Sequence, residues 1–134
     1  FGGKQDRPMF VAAAVAVAAQ ASGRQVQWIL DREDNMRMQG ARHPARGDYT
    51  VYADSLTGRL VGLDIDIVLD GGAYTDLSQA VMEVALSTIE GVYAWESVRV
   101  RGRVVRTNTR PNTAYRGFGK PQAVMIIEGI VDTV

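Results

Sequence analysis

Cysteine is absent from the 134 residues, which excludes disulfides, iron–sulfur ligation and thiol catalysis within this chain. Histidine occurs once, at His43, too few for a His-rich metal site or for a Ser-His-Asp set with any redundancy. Surplus charge is absent too: fifteen Lys and Arg face fifteen Asp and Glu, for a net charge of +0. Sequence-independent binding of nucleic acid or of an anionic membrane needs excess positive charge, so both partners are disfavoured. Proline is scarce, with four residues, whereas 46% of the chain is hydrophobic and 22% charged. That is a folding composition rather than a disordered one, and the length suits one domain.

The one long apolar run, Phe10 to Ala19, is too short to cross a bilayer. It lies in a stretch, residues 8–22, that reads as a buried helix, with Asp6 as a cap, Pro8 in the first turn and Gly23 as the stop. Gln25–Leu30 is predicted as a strand with Val26, Trp28 and Leu30 on one side. Asp31 starts a short acidic helical turn reaching about Met38. Arg46–Ala53 and Arg59–Leu69 read as strands joined by the turn Asp54–Gly58. In the second of them Asp64 and Asp66 alternate with Leu63, Ile65 and Ile67, giving one wet and one packed face. Gly71-Gly72 is expected to break that strand.

Asp76 or Ser78 then begins a helix with Val81, Met82, Ala85, Leu86 and Ile89 at helical period, ended by Gly91. Val98–Thr107 alternates Arg99, Arg101 and Arg103 with Val98, Val100 and Gly102. The arginine face is expected to be solvated and paired with Asp64 and Asp66, with anion binding as the other reading. A polar loop runs from Thr109 to Pro121, and a final helix with Ala123, Val124, Ile126, Ile127 and Ile130 starts at Gln122. No repeat or linker is visible. The pattern predicts an α+β fold, a mixed, largely antiparallel sheet covered by helices. The chain opens at Phe1 without an initiator Met or a basic leader and closes amid an apolar pattern. Residues 1–134 are therefore expected to be one partial domain, truncated at both ends.

Two loops carry chemical potential. Phe1-Gly2-Gly3-Lys4 precedes a helix, where tandem glycines let backbone approach a ligand and the helix N-terminus offers free N–H groups; ordinary turn chemistry is the competing reading. It is not a dinucleotide fingerprint, since G-x-G-x-x-G is absent. The second loop, Asn112–Gln122, sets Arg116 and Phe118 among glycines before another helix. Arg116 can donate in a planar fork, and Phe118 can stack on a flat substrate.

FGGK at the start, LDREDNM with GARHP after it, DLSQAVMEVAL, and RTNTRPNTAYRGFGKPQA together resemble the molybdenum-cofactor domain of the xanthine dehydrogenase/aldehyde oxidase family. The resemblance spans essentially the whole chain, and the order and spacing of four blocks make it specific. It implies a molybdopterin-dependent oxidoreductase, a hydroxylase that oxidises an aldehyde or N-heterocycle with water as the oxygen source. The metal would be held by the pterin and not by side chains. The resemblance places Phe1 and Gly2 against the cofactor, the backbone of Tyr115 and Arg116 on the pterin, and Phe118 against the substrate.

The sequence departs from the xanthine-oxidising pattern twice. Gln5 stands where those members carry a carboxylate, and Val84 where an ungapped alignment places their arginine; a one-residue register change would put Glu83 there instead. Both positions are expected to face substrate and to favour an aldehyde or a less polar heterocycle, with xanthine as the runner-up. The family's catalytic glutamate lies in a later Gly-Glu-Pro-type motif that this chain lacks, so the piece alone is expected to be inactive. Iron–sulfur clusters, and as an option FAD, would sit in other domains or subunits of a cytoplasmic parent that could be dimeric. The competing class is a non-catalytic structural or assembly module that keeps the fold.

Overall fold

The computed structural model describes residues 9–134; Phe1, Gly2, Gln5, Asp6 and Pro8, singled out above, lie outside the described residues. Three strands make one sheet in the order β1-β2-β3: β1 is Ala45–Ala53, β2 Leu60–Gly72 and β3 Ser97–Arg106. β1 runs antiparallel to β2, whereas β3 runs parallel to it. The parallel pairing needs a crossover, and helix α3, Ser78–Ser87, supplies it. Besides α3, the helices are α1 (Met9–Ser22), α2 (Arg32–Met38) and α4 (Lys120–Val131).

β2 is the central strand because its alternation is the cleanest in the chain. Leu63, Ile65, Ile67 and Leu69 are all buried on one face. Val81, Met82 and Ala85 of α3 and Ala123, Ile127 and Ile130 of α4 complete the same core. Gly102 shows how closely α3 lies on the sheet: a Cβ there would come within 2.5 Å of Met82 Sδ. The opposite face carries the charges. Asp64 pairs with Arg99 and Asp66 with Arg101 in register, each arginine bonding its carboxylate through two nitrogens. The expected solvated ladder is therefore present, and these bonds hold both carboxyls below their ordinary value of 3.8.

Several local expectations need correction. Gln25–Leu30 is not a strand: it pairs with nothing in the sheet, and Ile29 is 77% exposed. Alternation alone cannot make a strand without a neighbour to take its backbone hydrogen bonds. α1 forms where predicted, but none of its residues is buried among the described residues. Its alanines favour helix whatever lies beside it. β2 does not break at Gly71 but runs through Gly72, accommodating the pair with an irregularity between Asp70 and Gly72. Of the two expected starts of α3 the second holds: the helix begins at Ser78, with no side-chain cap, and the Asp76 carboxylate is taken by the Thr113 hydroxyl. Ile89 is buried in the turn after α3 rather than on the helix. α4 starts at Lys120, earlier than expected, with Pro121 in its first turn where a missing N–H costs nothing. Asp31 does cap α2, accepting from the Asp34 amide at 2.8 Å.

Candidate functional site

The polar loop before α4 is tied to the rest of the molecule by buried hydrogen bonds. Asn112 Nδ2 donates to the Asp70 carbonyl at 2.8 Å, and the Asn112 amide to Gly71 at 3.0 Å. The Thr113 amide donates to the Ala41 carbonyl at 2.9 Å. His43 Nε2 and Ser78 Oγ are bonded at 2.7 Å, and both residues are buried. Four separate parts of the chain thus meet: the segment after α2, the end of β2, the start of α3 and the loop before α4. Burial pulls the His43 imidazole below its ordinary value of 6.5, against the opposing pull of Asp70 and Asp76.

Onto this base the turn Tyr115–Gly119 is set. Gly117 and Gly119 have φ of +92° and +97°, and Phe118 between them has φ of +47°. A bulky residue in the left-handed region is a genuine outlier and persists only where its surroundings hold it. Here the Phe118 amide donates to Tyr115 at 2.8 Å, and its half-buried ring packs against the core. The turn lies so close to α3 that a Cβ at Gly119 would come 2.3 Å from the Val81 carbonyl oxygen. The Arg116 side chain is exposed, so it contributes nothing to packing. Among the described residues, the amides of Tyr115, Arg116 and Gly117 have no acceptor. Together these features form a turn that leaves N–H donors without partners beside an aromatic ring. Among the described residues no cluster of three His, Asp or Glu side chains could hold a metal ion.

Val84 and Glu83 lie on different sides of α3. Val84 is half-buried and one turn from Val81, whose carbonyl backs Gly119. Glu83 instead accepts from Gln79 Nε2 at 3.2 Å and lines a groove of about 450 Å³ between α3 and β3, with Met82, Leu86, Arg103 and Arg106. Of the predicted site residues, the structure brings Tyr115, Arg116 and Phe118 into one turn and sets Val84 on the helix that supports it. Phe1, Gly2 and Gln5 fall outside the described residues.

Sequence reasoning missed Arg42. Its guanidinium stacks over the Tyr115 ring, 4.4 Å from the centroid, and its Nη2 donates to the Arg116 carbonyl at 2.6 Å. Only its place in the GARHP block, next to the single histidine, could have drawn attention to it. Thr113 and Asn112 were likewise invisible as partners, because their contacts are far away in sequence.

The molybdopterin cofactor-binding domain family matches residues 1–134. Aldehyde oxidase 3 of Mus musculus is 42% identical over 134 residues, covering 100% of this chain and 10% of that protein. Xanthine dehydrogenase of Emericella nidulans is 41% identical over 134 residues, again 100% of this chain and 10% of that protein. The chain thus spans about a tenth of the length of these curated relatives. Among solved structures, aldehyde oxidoreductase from Desulfovibrio gigas superposes with a TM-score of 0.87 at 29% identity, covering 99% of this chain and 14% of that one.

Proposed function

Because this chain belongs to the molybdopterin cofactor-binding domain family, we propose that it is part of the catalytic subunit of a molybdenum hydroxylase. The substrate is an aldehyde or an N-heterocycle, and water supplies the oxygen. The observation that carries this reading is the Tyr115–Gly119 turn: open amides beside an aromatic ring held at positive φ. A loop needed only to connect β3 to α4 has no use for that strain.

In this reading the backbone of Tyr115 and Arg116 donates to the pterin, while Phe1 and Gly2 approach it from the other loop. When bound, the cofactor supplies the two-electron redox chemistry. Phe118 stacks on the substrate plane and so orients the carbon to be oxidised. Gln5 and Val84 meet the substrate edges. The general base lies in a later part of the protein, so residues 1–134 alone do not turn over. Electrons leave through iron–sulfur clusters and, where present, FAD in other domains or subunits. A cytoplasmic and dimeric parent belongs to the same proposal; among the described residues no helix is long and apolar enough to cross a membrane.

Similarity to aldehyde and xanthine enzymes is nearly equal, so overall identity does not choose the substrate. Gln5 and Val84 do. A neutral amide and a methyl surface leave the polar edges of xanthine desolvated and unpaired, at roughly 1–3 kcal/mol per group. The longer protein is expected to prefer a benzaldehyde-like substrate over xanthine by about a hundred-fold in kcat/KM. The double change Gln5→Glu with Val84→Arg should shift that ratio toward xanthine. Better oxidation of xanthine than of the aldehyde by the unchanged protein would refute the substrate assignment. Arg116→Ala tests whether the exposed guanidinium also donates to the cofactor: occupancy should fall while the fold stays intact, and unchanged pterin content would refute that role.

A further inference from the structure

Arg42 is held at its root from both sides. Before it, the Ala41 carbonyl accepts from the Thr113 amide at 2.9 Å. After it, His43 is bonded through Nε2 to Ser78 Oγ at 2.7 Å, and the Pro44 carbonyl accepts from the Asp70 amide at 3.0 Å. The backbone from which the side chain departs is therefore fixed. It reaches across to the turn before α4, lays its guanidinium on the Tyr115 ring and donates to the Arg116 carbonyl at 2.6 Å. Cation–π stacking fixes the plane of the fork, and the charged hydrogen bond fixes one carbonyl. Arg42 Nη1 is buried without a hydrogen-bond partner among the described residues.

That carbonyl belongs to the Arg116–Gly117 peptide. That peptide is trans, and in a planar trans peptide the C=O and the following N–H point in opposite directions. With the Arg116 oxygen drawn to Arg42, the Gly117 N–H is turned away from it, and that amide has no acceptor among the described residues. Glycine at 117, with φ of +92°, would otherwise allow this peptide to rotate easily. We propose that Arg42 is a positioning residue: by holding the Arg116 carbonyl, it aims the Gly117 N–H outward as a donor to the bound pterin. The inference rests on the cofactor reading of this turn and adds the residue that orients it.

The test uses the longer protein carrying Arg42→Gln or Arg42→Lys. Gln keeps a neutral donor but loses stacking and charge, whereas Lys keeps the charge and a donor nitrogen but loses the planar fork. Pterin content, read from the fluorescence of the released and oxidised pterin, should fall about ten-fold in Arg42→Gln, as expected on losing a charge-assisted hydrogen bond. Arg42→Lys should recover part of it. In cofactor-free protein, site-resolved hydrogen exchange should quicken at Phe118 and Lys120, whose amides donate to carbonyls of the turn, but not in the core of β2. Wild-type pterin content in both variants would overturn the inference while leaving the functional reading intact. Exchange that quickens equally in β2 would also overturn it, by making Arg42 a brace of the whole fold. A wild-type protein that holds no pterin would overturn the functional reading and, with it, the cofactor half of this inference.

Discussion

Two polar regions of this molecule use similar groups under opposite conditions. On the outer face of the sheet, Asp64, Asp66, Arg99 and Arg101 are ionised, cross-strand partners standing in water. At the meeting point of the loops, His43, Ser78, Asn112 and Thr113 are buried and hydrogen-bonded. Water can replace a lost partner on the sheet face, and salt screens the attraction there. In the buried knot nothing can replace a lost partner, so each bond matters more for the shape it enforces than for its intrinsic strength. The contrast explains why the turn that carries Phe118 is anchored to the knot and not to the charged ladder.

The steepest way to break the buried region is steric. Gly119→Ala would put a Cβ 2.3 Å from the Val81 carbonyl oxygen at a φ of +97°. We expect a loss of about 3 kcal/mol or more in urea unfolding, or failure to fold. A stable Gly119→Ala protein would show that the turn is soft. Next, Ser78→Ala leaves His43 Nε2 buried and unpaired, and should cost roughly 1–3 kcal/mol by the same measurement. A cost within error of zero would mean that the knot is not the rigid partner in this comparison.

The knot should also respond to acid before the ladder does. The folded-state value of His43 lies below its ordinary 6.5, so the unfolded chain binds a proton that the folded chain resists. The stability it contributes is complete above about 6.5 and declines as pH falls below that value toward the folded one. Asp64 and Asp66 are also depressed, from 3.8, so their contribution is present above that value and is lost as pH falls through their folded values. Unfolding titrations should therefore show two separate declines, and His43→Gln should abolish the upper one alone. If the upper decline persists in His43→Gln, another group is responsible. The smallest effect is expected from Asp66→Asn, which removes one exposed partner of Arg101. Its unfolding midpoint should shift little, and the shift should shrink further at high salt. An effect as large as that of Ser78→Ala would erase the distinction between the two regions.

By itself the sequence determined what is local. Period-two alternation identified β2 and its two faces, helical spacing identified α3, Asp31 announced α2, and four ordered blocks identified the family. These signals survive because a side chain's face follows from backbone period alone, whatever the partner is. The tertiary structure decided what is non-local. Gln25–Leu30 had strand spacing but no neighbour to bond, and α1 formed a helix whose burial no local rule could settle. β3 became parallel to β2 because α3 carries the chain back across the sheet. The contact between Arg42 and Arg116 joins positions 74 residues apart. Only the packing of α3 and the folding back of the loop before α4 bring that guanidinium to that carbonyl, since hydrogen bonding acts over a few ångströms and sequence spacing carries no such distance.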